Sequence, residues 1–223
     1  MPDERNHRSV ILASIRLSLG EAQPPASIAA EYAAIPRTYA QSSTLSHNAL
    51  LELFTDRLLE YDAGVYHRTA EAIPVTIAEI LSSRSKQSLA IPTGLPSEWL
   101  PTGFTFTEAD LFDVYQVDKT EGILTACTVA IAETGSIVLQ NAAGQGPRIL
   151  SLVPDYHLCV VSADQIVATV PEAFARIEAT STLPTTFISG PSATADIEMT
   201  RIKGVHGPRF FDVILVDDTA AKL

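Results

Sequence analysis

Four short stretches of this chain set glycine beside hydroxyl, carboxylate or imidazole groups, a combination suited to ligand binding and proton transfer. The first is AIAETGSIVLQ, Ala130 to Gln140, in which Gly135 permits a tight turn and Glu133 stands at the break between two apolar runs. A carboxylate placed there can serve as base, nucleophile or hydrogen-bond acceptor, with Thr134, Gly135 and Ser136 as ligand-binding neighbours. The same four residues also read as a hairpin turn whose polar groups satisfy their own backbone.

The second stretch, GQGPR at Gly144 to Arg148, offers loop amides and one guanidinium. It lacks the third glycine of a dinucleotide fingerprint, and Arg148 reads either as a carboxylate clamp or as a surface ion-pair partner. The third, Phe187 to Glu198, predicts a strand, a tight turn and a helix start, where free amides and the helix dipole hold anions. Ser189, Gly190, Ser192 and Thr194 are its candidate ligand-binding residues, together with Asp196. Asp196 and Glu198 already complement the dipole of such a helix, so capping alone also accounts for the segment. The fourth, GVHGP at Gly204 to Pro208, holds His206 between glycines, where an imidazole approaches a ligand closely and titrates near neutral pH. Glu133 and His206 are the candidate catalytic groups. His206 also has a purely structural reading.

Other chemistries lack their residues. Cys127 and Cys159 are the two cysteines, and without a Cys-x-x-Cys pair they read as buried thiols, not as ligands of a cluster or zinc ion. No metal site is expected. There is no Walker loop, no Gly-x-Ser-x-Gly elbow and no His-Glu-x-x-His.

The elements that must position these groups follow from hydrophobic spacing. Arg8 to Leu19 places Val10, Ile11, Ile15 and Leu19 on nearly one helix side and reads as a docking arm. Gly20 to Ser43, with Pro24, Pro25 and Pro36 and no sustained periodicity, reads as a linker wrapped over the body. Residues 1–45 are thus an N-terminal helical arm and linker, and 46–223 an α/β domain. Leu50, Leu51, Phe54, Leu58 and Tyr61 predict a helix capped by Ser46. A strand at Gly64 to His67, a helix entered at Pro74 with Val75, Ala78, Ile80 and Leu81 inward, and a strand at Ser88 to Ile91 follow. Further on, His157 to Val161 is apolar, and Thr169 and Glu172 form a capping box for a helix with Val170, Phe174 and Ile177 on one face. Thr185 to Ile188 predicts a strand, and Phe210 to Val216, apolar on both faces, a buried parallel one. This rhythm predicts an open, mostly parallel sheet with flanking helices, its ligand site beside the carboxyl ends of the strands.

Composition bounds the partners. A formal charge of −11 repels a phosphate backbone, so nucleic acid is not expected. The run Val10 to Leu19 reads as neither a secretory apolar region nor a membrane span, and a cytoplasmic location is the expectation.

Read together and in order, AIAETGSIVLQ (130–140), GQGPR (144–148), LVPDYHLCVV (152–161) and FISGPSATADIEMTRIKGVHGP (187–208) resemble the lactate-utilisation LUD-domain family, in its LutC-type members. The resemblance covers roughly the C-terminal half. It implies a NagB/RpiA/CoA-transferase-like α/β fold and a place in a three-component system oxidising lactate to pyruvate, beside iron–sulfur subunits that carry the clusters. It implies no cofactor bound by this chain itself, and it assigns no catalytic set. Two further readings stay open: a stand-alone CoA-transferase-like or sugar-phosphate isomerase-like enzyme using Glu133, and an organic-acid-binding regulatory module.

Overall fold

The computed structural model of the chain describes residues 4–20, 25–194, 202–203 and 206–218. The chain divides into two compact units, 1–39 and 40–223.

The first unit holds α1 (Glu4–Leu19) and α2 (Pro25–Ala34). Helix α2 forms within the stretch whose composition reads as linker, because its five alanines need no amphipathic period to favour helix. Val10, Ile11, Ile15 and Leu19 are all solvent-exposed.

The second unit opens with α3 (His47–Glu60), capped by the Ser46 hydroxyl, which accepts from the Ala49 amide. Then come β1 (Gly64–Arg68), α4 (Ile73–Ser83), β2 (Ser88–Ile91), β3 (Thr105–Glu108) and α5 (Val114–Asp118). Strands β4 (Ile123–Thr125), β5 (Val129–Ile131), β6 (Ser136–Gln140), β7 (Tyr156–Ser162) and β8 (Ile166–Val167) follow. After α6 (Val170–Ile177) the chain ends in β9 (Thr185–Ile188), the two-residue strands β10 (Ala193–Thr194) and β11 (Ile202–Lys203), and β12 (Phe210–Val216).

Six strands pair in the order β1-β12-β7-β4-β2-β3, all in parallel. A second sheet, β8-β5-β6-β9, is antiparallel except where β8 meets β5. The expected open parallel sheet is therefore present, and the second sheet is an addition the sequence rhythm did not separate from it.

Period-two alternation divides the core. Leu158, Val160, Ile214 and Val216 point to one face, where Ile73, Ile77, Ile80 and Leu81 of α4 cover them. Cys159, Val161, Val213 and Leu215 point to the other, against Leu51, Phe54 and Leu58 of α3 and Ala130, Ile137 and Leu139 of the second sheet. Two expected core positions differ. Val75 is exposed because the buried stripe of α4 runs through Ile73, Thr76 and Ile77 instead. Phe174 also lies at the surface, stacked on Phe187 at 5.8 Å, while Ala173 and Ile177 fill the buried side of α6.

The largest departure concerns the segment after β9. Ala193 and Thr194 do not begin a helix; they pair antiparallel with Lys203 and Ile202. The helix start expected over 195–198 lies outside the described residues. Asp196 lies outside the described residues, as does the side chain of Thr194.

Candidate functional site

A concavity of about 250 Å³ gathers residues from three separate stretches of sequence. The end of β9 and the turn after it contribute Phe187 through Ala193, the loop entering β12 contributes His206, Gly207 and Pro208, and the 3-10 turn Arg148–Ser151 contributes its first and last residues. Arg148 and Ser151 also line a neighbouring hollow with Gln140, Asn141 and Thr186. His206 and Gly207 line another with Asp155 and Arg209. The central hollow, the groove proper, shares these residues with its two neighbours.

Its position departs from expectation. The loop 206–208 runs directly into β12, and Asp155 precedes β7, so the groove lies at the amino ends of these strands. At the carboxyl ends, the space is filled by the second motif's glycine loop: the Gly144 amide donates to the Thr93 carbonyl (2.8 Å) and the Ala126 amide to the Gly144 carbonyl (2.8 Å). Gly144, at φ +73°, is thus used for closure between β2 and β4.

Of the sequence candidates, Arg148, Ser189, Gly190, Ser192 and His206 converge on this groove. Glu133 is exposed in the β5–β6 turn and lines none of the three hollows. Its turn is the hairpin that the sequence admitted, with the Glu133 amide bonded to the Ala168 carbonyl at 3.0 Å. Gly135, at φ +59°, packs against the Arg57 backbone, where a Cβ would approach the Arg57 carbonyl carbon to 3.1 Å. Thr134 and Ser136 do not line the groove, yet they reach it by hydrogen bonds. The Thr134 hydroxyl donates to Ser136 Oγ (2.7 Å), and Ser136 Oγ lies 2.6 Å from Ser189 Oγ.

The polar wall is one of donors. Ser192 Oγ accepts from the His206 backbone amide at 3.1 Å, which leaves its own proton free. Arg148 donates to Ser151 Oγ (3.2 Å) and pairs with no carboxylate among the described residues. Partial burial pushes the Arg148 pKa down from its ordinary value. No Asp or Glu is among the residues lining the central hollow, in a chain with 26 of them.

Sequence reasoning did not single out two groups close to this wall. Ser151 had no signal beyond its position after Arg148. His157, fully buried in β7, shares its Nε2 with Thr125 Oγ1 at 2.8 Å, and its Nδ1 meets no partner. Burial first, and the Arg148 charge second, lower its pKa to about 3, so the ring is neutral. An imidazole inside an otherwise apolar strand was the available signal.

Elsewhere, Cys127 and Cys159 are buried free thiols. Their mutual hydrogen bond, then burial, raises the Cys127 pKa well above the ordinary thiol value. No helix among the described residues is long and apolar enough to cross a membrane.

Comparison with known proteins agrees with this architecture. The family model described as the LUD domain matches residues 115–216. A lactate utilization protein C from Deinococcus radiodurans is 41% identical over 181 residues, covering 80% of this chain and 84% of the relative. One from Shouchella clausii is 38% identical over 100 residues, 43% of each chain. A crystal structure of a DUF162 family protein from Deinococcus radiodurans superposes with a TM-score of 0.67 at 37% identity, covering 78% of this chain and 99% of that one. A parallel six-stranded sheet flanked by helices defines the class structurally. The chain belongs to the LUD-domain family, on the lactate utilization protein C side of it.

Proposed function

We propose that this chain is a cluster-free component of a cytoplasmic iron–sulfur system that oxidises lactate to pyruvate. The observation that carries the reading is the 41% identity, over most of both chains, to a protein named lactate utilization protein C. The groove agrees with it, because Arg148, Ser189, Ser192 and His206 are groups that recognise a small oxygenated acid.

Oxidation of lactate releases two electrons and two protons. With only Cys127 and Cys159, both buried, this chain is poorly equipped to ligate a cluster, so the electrons go to clusters on partner subunits. Its own part is to hold the acid or to dock on the cluster-bearing subunit. Glu133, outside the groove, has the position of a turn residue on this reading, which disfavours the stand-alone CoA-transferase alternative.

The test is anaerobic affinity purification of the tagged protein from its own cells, with iron analysis and lactate-dependent dye reduction on the eluate. Iron-bearing partners and lactate oxidation should elute together, and a deletion strain should lose growth on lactate. Normal growth of the deletion strain would end the proposal.

A further inference from the structure

We infer that the groove between β9, the 3-10 turn at Arg148 and the loop 206–208 is a binding site for a small carboxylate bearing an oxygen on its second carbon, with Arg148 holding the carboxylate and Ser189 and Ser192 donating to that second oxygen. The carboxylate assignment stands on the groove alone. The choice of a 2-hydroxy or 2-oxo acid rests on the proposed role in lactate utilisation.

Charge comes first. A chain carrying a net −11 has acids to spare for neutralising a guanidinium, yet no described carboxylate pairs with Arg148. Four other arginines, Arg57, Arg68, Arg84 and Arg209, each face an Asp or Glu within 4.0 Å. Arg148 instead sits partly desolvated above the neutral, buried His157, with one serine oxygen as its described partner. A planar donor fork left unpaired in a concave site matches a carboxylate in shape and charge.

The direction of the hydroxyl protons comes next. Thr134 donates to Ser136, and Ser136 shares a 2.6 Å hydrogen bond with Ser189 in which either hydroxyl can donate, so the Ser189 proton serves the groove when Ser136 is the donor. Ser192 already accepts from the His206 amide, so its proton is also available. In that arrangement both serines present donors, and a donor pair selects a carbonyl or hydroxyl oxygen over a methylene. Phe187, Ile188, Pro191 and Pro208 supply the apolar remainder of the wall.

Size then limits the ligand. A hollow of about 250 Å³ lies just below the roughly 300–1,000 Å³ typical of pockets for drug-sized molecules, which favours an acid of a few carbons. Gly207 keeps the rim open: at φ +120° it occupies backbone space that a side chain rarely adopts.

The experiment is isothermal titration calorimetry on the purified full chain at low ionic strength, with sodium L-lactate, pyruvate, propionate and inorganic phosphate as separate titrants. Lactate or pyruvate should bind, propionate should bind at least roughly tenfold more weakly, and Arg148→Ala should weaken the preferred acid by roughly tenfold or more. Ser189→Ala should reduce the preference over propionate while retaining carboxylate binding. Circular dichroism establishes that both variants are folded, and Arg148→Lys, which keeps the charge without the fork, should be intermediate. Absence of binding by every carboxylate, or an Arg148→Ala variant that binds like the wild type, overturns the site. Propionate equal to lactate, or phosphate bound more tightly than either acid, overturns the ligand class. Binding with this pattern alongside normal growth of the deletion strain on lactate would sustain the site and defeat the functional proposal, so the two fail separately.

Discussion

The Arg84 guanidinium grips the fully buried carboxylate of Asp212 through both Nε and Nη2, the latter 2.6 Å from Oδ1. The Tyr156 hydroxyl donates to the same carboxylate at 2.9 Å, and burial followed by the Asp212 charge raises the Tyr156 pKa. The pair ties the end of α4 to the β12 residue paired with Gly64, whose missing side chain leaves room for the carboxylate. Arg84→Ala strands a buried charge and should cost about 3–5 kcal/mol, read as a lower urea midpoint. A loss under about 1 kcal/mol would show that solvent reaches Asp212 freely.

His157 predicts an acid sensitivity. Its folded pKa, about 3, lies below the ordinary value of 6.5, so the unfolded chain binds the proton first. The stability this neutral ring contributes is complete above pH 6.5 and falls as pH drops toward 3, by on the order of 5 kcal/mol over the full window. Urea midpoints measured between pH 7 and 5 should decline in the wild type and decline less in His157→Gln. Equal slopes would remove His157 as the cause. Asp155, held low mainly by its hydrogen bond to Arg209, adds acid sensitivity only below the ordinary carboxylate range.

Gly190 joins the groove to the fold. It adopts φ +76°, and a Cβ there would collide with the Cβ of Tyr61. Gly190→Ala should therefore destabilise by about 1–3 kcal/mol and shift the turn that carries Ser189 and Ser192. Thermal unfolding measures the first effect and ligand titration the second; an unchanged midpoint would refute the collision.

Glu133 offers the opposite expectation. Its side chain is exposed and lines no part of the groove. Glu133→Gln should change stability by no more than about 0.5 kcal/mol and leave carboxylate binding at the wild-type level. A substantial loss of binding would return this carboxylate to the site.

Much of the architecture was legible because it is local. Ser46 caps α3 and Thr169 with Glu172 closes the capping box of α6, since these bonds span three residues and need no tertiary partner. The run Phe211 to Val216, apolar but for Asp212, fits a sheet covered on both faces, and β12 lies there between β1 and β7. The family resemblance was likewise carried by contiguous motifs.

What required the tertiary structure was the partner of each segment and the side of the sheet on which the motifs meet. A Ser-Gly-Pro-Ser turn names no partner for the residues that follow it, and only the folded chain pairs Ala193 with Lys203. Phe174 matched a helical face, but the small Ala173 takes the tightly packed side and leaves Phe174 to stack on Phe187. The candidate groove is the same kind of result. Arg148 precedes Ser189 by 41 residues and His206 follows it by 17, and no pattern of spacing specifies that strand pairing brings them to one hollow while Glu133 remains outside. Sequence determined which groups were available and which segments were helix or strand, because those depend on neighbours a few residues away. Only the packing of two sheets determined which groups face one another, because that depends on contacts between segments far apart along the chain.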